Sequence, residues 1–182
     1  APAAMMRFSE KFAVPVATSY RRAPLFDALH PHHAGDLGLG PNPKLLARVK
    51  SADLVVVAGA RMSEIMTQGY TLFDIPVPRT KLVHVYPDAG EIGRVYAPHL
   101  AIPATPQRFA VALDALTPKN PGWAADVRAA HDDYLEWSGT PTPQPGEVNL
   151  GEIMVWLREN LPREAILCNG AGNYAAWIHR FY

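Results

Sequence analysis

Two glycine turns and a histidine-rich stretch hold the residues of this chain best suited to chemistry. Gly170-Ala-Gly-Asn-Tyr-Ala175 satisfies the spacing G-x-G-x-x-G/A. Such glycines let a backbone come close to a diphosphate while the amides of a following helix point at it. A short apolar run, Ala165 to Cys168, precedes the glycines and reads as a buried strand, and the pattern turns helical from Tyr174. An ordinary glycine turn between strand and helix would read the same way. The acidic residue that completes a dinucleotide fingerprint stands about twenty positions further on, past Tyr182.

Gly59-Ala-Arg61 follows the longest apolar run, Leu54-Val-Val-Val-Ala58. That places it at the carboxyl end of a parallel strand, where open α/β sheets bind ligands. Arg61 there either grips a phosphate through two parallel N–H bonds or remains a solvated cation in a turn. His30-Pro-His-His33 gathers three imidazoles, but no second cluster of Cys, Asp or Glu stands at a ligand spacing, so it reads as a solvated loop rather than a metal site. His84 lies within an apolar strand and reads as a packed core histidine. Cys168 reads as a small apolar filler rather than a nucleophile, because no neighbouring cation is evident to lower its pKa.

These residues need a scaffold. Apolar residues at 5, 8 and 12 mark a helix over residues 4–12, followed by a short strand at Val14 to Ala17. Thr18 to Pro43, with Pro24, Pro31, Pro41 and Pro43 and glycines 35, 38 and 40, reads as a long polar loop of the kind that is functional or packed as an ordered excursion. Asn42 and Pro43 open a helix to about Lys50 as N-cap and first-turn proline. Strands follow at Asp53 to Ala58, Lys81 to Tyr86 and His99 to Ile102. Pro87-Asp88 caps a short helix, and a longer helix runs from Pro106 to Leu116. Alternation of this kind argues for a parallel sheet with helices on both faces.

Residues 121–137 read as a further helix, and Ser138 to Gly146 as a proline-rich linker. Val148 to Leu161 is an amphipathic helix with Asn149 as N-cap and Glu152 as capping-box partner. The expected organisation is a central domain over residues 1–120, a helix and linker over 121–147, and the start of a second α/β domain over 148–182.

Composition narrows the class. Seventeen basic and seventeen acidic residues give a formal net charge of zero, with no basic stripe to serve a nucleic acid. No apolar run reaches membrane-spanning length. The single Cys168 excludes an internal disulfide framework and fits a reducing cytoplasm. No signal-peptide pattern opens the chain. It enters a helix directly, without an initiator Met, and both ends read as cuts in a longer chain.

The segments Phe12-Ala-Val-Pro-Val-Ala-Thr-Ser19, His33-Ala-Gly-Asp-Leu-Gly-Leu-Gly40, Ala52-Asp-Leu-Val-Val-Val-Ala-Gly-Ala-Arg61 and Lys81-Leu-Val-His-Val-Tyr-Pro-Asp-Ala-Gly-Glu-Ile-Gly93 carry a family resemblance. In this order they resemble the central domain of thiamine-diphosphate-dependent enzymes similar to acetolactate synthase, over about residues 4–116. The tail resembles the start of the same family's diphosphate-binding domain, where a Gly-Gln-His-type step precedes a helix with a Trp. Gly172, Asn173 and Tyr174 fall on that step, with Gly170 just before it.

The resemblance implies a full chain of three α/β domains. The first supplies a glutamate for the cofactor's aminopyrimidine, and the third a Gly-Asp-Gly segment and an Asn that hold Mg²⁺. None of these is among the present residues. Active sites formed between subunits imply a homodimer or homotetramer.

Some family members bind FAD or ADP in the central domain. Thr18, Ser19, Tyr20, Gly59, Ala60, Arg61 and the strand end near Tyr86 would face it here. Tyr86 stands where flavin-binding relatives often carry an acid, which disfavours FAD or ADP. The family's central domain begins with a strand that precedes the helix opening this chain. The expected fold is therefore α/β: a Rossmann-like parallel sheet with helices on both faces, lacking its first strand, then a linker and the first elements of a second α/β domain. The expected function is that of a piece of a thiamine-diphosphate enzyme acting on 2-oxo acids or related carbon–carbon bonds, inactive by itself. The alternative is a non-catalytic Rossmann-type regulatory domain that binds FAD or ADP.

Overall fold

The structure, a computed structural model, describes residues 2–118 and 122–182. Helix α1 (Pro2–Phe12) leads into β1 (Val16–Ser19), a 3-10 turn (Ala23–Leu25) and β2 (His33–Leu37). Then come α2 (Pro43–Ser51), β3 (Leu54–Ala58), β4 (Lys81–Tyr86), β5 (Leu100–Pro103) and α3 (Pro106–Asp114). Helices α4 (Ala124–Gly139), α5 (Leu150–Asn160) and α6 (Ala175–Phe181) complete the chain. The chain divides into two compact units, Ala1–His131 and Asp132–Tyr182. The expected helix start at residue 121 lies outside the described residues.

Among the described residues every strand pairing is parallel, as the alternation of strand and helix predicts, and the fold is a Rossmann-like α/β arrangement. The strands form two sheets, β1-β2 and β3-β4-β5. Among the described residues no strand joins the two. In the larger sheet Val55 faces Leu82 and Val57 faces His84, while His84 faces Ala101. These side chains therefore share one face of the pleat. On that face Val57, Leu82, Met62, Met66 and Tyr96 form the main core, flanked by Val55, Phe73 and Leu37. A second cluster joins Ala34, Leu45 and Ala130, flanked by Ala17, Val49 and again Leu37.

The helix starts follow the capping chemistry. Asn42 accepts from the Lys44 amide at the start of α2, ahead of Pro43. Thr105 does the same for Arg108 at α3. Asn149 accepts from the Gly151 and Glu152 amides at α5, and its amide nitrogen donates to Glu152 Oε1 at 3.2 Å.

Several local expectations are corrected. The stretch from Thr18 to Pro43 is not one loop: it contains β2, which pairs with β1 through Ala17 opposite Gly35 and Thr18 opposite Asp36. Three of its five residues are buried, and their types, His-Ala-Gly, carry no strand propensity that would announce them. His30, His32 and His33 are packed rather than solvated in a loop. Ser9 Oγ, fully buried in α1, lies 2.7 Å from His32 Nδ1 and donates its own proton to the Val14 carbonyl. His32 Nδ1–H is therefore the donor between them.

Residues after Pro87 form turns rather than a helix, with Asp88 Oδ1 accepting from the Gly90 amide. β3 forms where expected but is not a buried strand: Leu54 and Val56 are 53% and 37% exposed. Only β4 pairs with it among the described residues, so its outer edge and one of its faces lack a cover. Residues 165–168 form no strand. Ile166 is 86% exposed and Cys168 is exposed. An apolar run becomes a strand only beside a sheet that takes up its amides and carbonyls, and no described strand lies next to it.

Candidate functional site

In a parallel sheet the loops leaving the carboxyl ends of neighbouring strands converge, and polar side chains gather there. At the end of β3 the chain turns at Gly59, whose φ is +75° and whose amide donates to the Val85 carbonyl at 2.8 Å. A Cβ at this position would run into the ring of Pro106. Glycine thus satisfies both the left-handed backbone and the close approach to α3.

The next carbonyl, of Ala60, accepts from His84 Nε2 at 3.0 Å, and His84 is only 2% exposed. Arg61 then reaches across to β4, where its Nε donates to the Tyr86 hydroxyl at 3.3 Å. Glu91 Oε2 lies 3.7 Å from the same Nε and 3.4 Å from Arg94 Nη1. Tyr86 first, then Glu91 and Asp88, hold the Arg61 guanidinium pKa above its ordinary value. The mouth of β3 and β4 is thus a cationic ledge of Arg61 and Arg94 held around one carboxylate. Phosphate oxygens bind such guanidinium forks.

Gly59, Ala60 and Arg61 come together here as one turn. Thr18 and Ser19 sit at the end of β1 in the other sheet. Thr18, 6% exposed, donates to Asp36 Oδ2 at 3.0 Å, and the Ser19 carbonyl accepts from the Arg22 amide. No hydrogen bond among the described residues joins these two to the 59–61 turn. Sequence reasoning missed Glu91, Arg94, His84 and Tyr96 as members of this region. Glu91 lies three residues after Asp88 on a turn that reads as a helix start, so its reach back to Arg61 has no periodic signal.

The glycine turn near the end of the chain sits in the other unit. Residues 165–174 are irregular, and α6 takes its first bonds from the Ala175 amide to the Gly172 carbonyl and from the Ala176 amide to the Asn173 carbonyl. The amides of Gly172, Asn173 and Tyr174 precede those bonds and belong to the end of a helix that suits an anion. The ring of Tyr174 lies over the glycines. A Cβ on Gly170 would stand 2.5 Å from the Tyr174 hydroxyl, and one on Gly172 would clash with the Tyr174 ring. In this arrangement the Tyr174 side chain covers the backbone of Gly170 and Gly172.

Helix α6 is held by Arg180. Its guanidinium stacks 3.5 Å from the Trp137 ring centroid while donating to the Trp137 carbonyl at 3.0 Å and to Thr142 Oγ1 at 3.1 Å. No group of three or more His, Cys, Asp or Glu side chains that could hold a metal occurs among the described residues. No described helix is long and apolar enough to cross a membrane.

Comparison with known proteins agrees with this architecture. Residues 1–113 match the family described as thiamine pyrophosphate enzyme, central domain. The acetolactate synthase isozyme 1 large subunit of Escherichia coli is 28% identical over 187 aligned residues, covering 100% of this chain and 32% of that protein. The chloroplastic acetolactate synthase 1 of Oryza sativa is 25% identical, over 96% of this chain and 28% of its own length. A sulfoacetaldehyde acetyltransferase of Alcaligenes xylosoxydans is 30% identical over 89 residues, 49% of this chain and 15% of that protein. The chain spans about a third or less of the length of these curated relatives. With a parallel α/β fold and a family match over more than half its length, the chain belongs to the family of thiamine pyrophosphate enzyme central domains.

Proposed function

We propose that this chain is part of a thiamine-diphosphate-dependent enzyme that acts on 2-oxo acids or related carbon–carbon bonds, as lyase or transferase. The observation that carries the reading is the alignment to acetolactate synthase along the whole chain, through both compact units rather than the central domain alone. In this reading residues 1–120 are the central domain, 121–147 a connecting helix and linker, and 148–182 the first elements of the diphosphate-binding domain. The parent works as a homodimer or homotetramer in a reducing cytoplasm, in keeping with a single, exposed Cys168.

Gly170, Gly172, Asn173 and Tyr174 would form one wall of the cofactor's diphosphate site. When bound, thiamine diphosphate supplies carbanion stabilisation to the reaction. This chain's own contribution is backbone amides at the start of α6 and a tyrosine ring that covers or uncovers them. Mg²⁺ would be held by residues outside this segment.

The test is calorimetric titration and turnover. The 182-residue polypeptide should show no decarboxylation or acetolactate formation with pyruvate, thiamine diphosphate and Mg²⁺, whereas the parent enzyme should be active. Turnover by the polypeptide alone, or a parent that is inactive on every 2-oxo acid tried, would refute the reading. A second reading, a regulatory FAD- or ADP-binding domain, is favoured by Arg61 at the end of β3. It predicts tight binding of FAD or ADP that Arg61→Ala weakens, with no dependence on thiamine diphosphate.

A further inference from the structure

Behind the 59–61 turn, β4 and the segment leading to Tyr96 line a small, partly open cavity of about 10 Å³, with His84, Glu91, Arg94 and Tyr96 among its walls. That is room for about one water. His84 and Tyr96 are each 2% exposed. His84 Nε2 faces the Ala60 carbonyl at 3.0 Å, and a carbonyl only accepts, so Nε2 carries the proton. In the neutral imidazole Nδ1 is then an acceptor. His84 Nδ1 and the Tyr96 hydroxyl are both buried and have no hydrogen-bond partner among the described residues. Buried polar atoms are almost always satisfied by protein or ordered water.

We propose that one structural water occupies this cavity, donating to His84 Nδ1 and accepting from the Tyr96 hydroxyl. Glu91, which lines the same cavity, offers a carboxylate for the water's second hydrogen, giving the three partners usual for a buried water. The donor and acceptor roles close without conflict: Tyr96 gives its proton to the water, the water gives one to His84, and His84 gives its own to Ala60. The water therefore completes the hydrogen bonding of the tautomer that the Ala60 carbonyl selects, and so steadies that carbonyl and the direction in which the next residue, Arg61, leaves the sheet. It is a positioning element for the Arg61–Glu91–Arg94 ledge and stands whether or not that ledge takes a nucleotide.

Two measurements on the folded protein decide this. A crystal structure in which waters are individually resolved should show a fully occupied peak within hydrogen-bond distance of both His84 Nδ1 and the Tyr96 hydroxyl. Nitrogen-15 NMR should find His84 protonated at Nε2, with the Nδ1 resonance shifted upfield by an accepted hydrogen bond. Tyr96→Phe keeps the ring, removes only the hydroxyl, and should move the Nδ1 resonance of His84 downfield as the water loses a partner. An empty cavity, a direct bond from Tyr96 to His84, or a histidine protonated at Nδ1 would overturn the proposal. So would a folded Tyr96→Phe protein whose His84 resonances do not move.

Discussion

Acidification should weaken the β1–β2 sheet through His33. This residue opens β2 opposite Val16, is 4% exposed and stacks 6.1 Å from the Phe26 ring. Burial lowers its pKa from 6.5 to about 4, helped by His131 and His30 and opposed by Asp27. Because the folded value lies below the unfolded one, the unfolded chain binds more protons between those limits. Stability is then complete above about pH 6.5 and is lost as the pH falls toward 4. Moving from 6.5 to about 4 is worth about 3.5 kcal/mol in total, of which about 2 kcal/mol is gone by pH 5. His32, lowered by burial first and then by His30, adds to the loss in the same direction.

The assay is urea unfolding of the wild-type protein and His33→Gln at a series of pH values from 7.5 to 4.5. His33→Gln lowers stability at neutral pH through lost packing, but its curve against pH should be flatter than the wild type's by ~2 kcal/mol at pH 5. Background titration of carboxylates is common to both proteins and cancels in the difference. Parallel pH curves for the two would refute the argument, because they would mean that His33 is as solvated in the folded state as in the unfolded one.

Three further outcomes follow from the geometry. Gly59→Ala forces a side chain into both a positive φ and the ring of Pro106. It should cost about 2 kcal/mol or more, read as a lower urea midpoint. Asn149→Ala removes the acceptor for two amides at the start of α5 and should cost ~1 kcal/mol, with Asn149→Asp restoring most of it. Arg180→Ala removes the stack on Trp137 and two hydrogen bonds. It should cost about 2 kcal/mol and change Trp fluorescence, while Arg180→Lys, lacking the planar fork, should recover only part of that.

The parts of this fold legible in the sequence are those with local causes. Asn42-Pro43 and Asn149 announce their helices because a cap acts over three residues, and Lys81 to Tyr86 announces β4 through its apolar run. β2 is hidden because His-Ala-Gly-Asp-Leu has no alternation; its place is set by pairing with β1, between residues 17 or 18 positions apart. The opposite error occurs at residues 165–168, where an apolar run has strand composition and no neighbouring sheet. At the candidate site, the glycine and the arginine of the 59–61 turn stand out because a strand leads straight into them. Glu91 and Tyr96 do not, since their roles depend on a turn folding back over β4.

Leu37, half-buried, packs against both apolar clusters, the one that holds Val57 and Tyr96 and the one that holds Ala34 and Leu45. The two sheets thus share a side chain where they share no backbone ladder. The thermodynamic signature of such a shared member is non-additivity. Truncations at Val57 and Leu45, which fall in different clusters, should each loosen Leu37. Their combined destabilisation should then depart from the sum of the single effects, whereas the same pair in a Leu37→Ala background should add. A single leucine thereby makes two small sheets report on each other as one cooperative body.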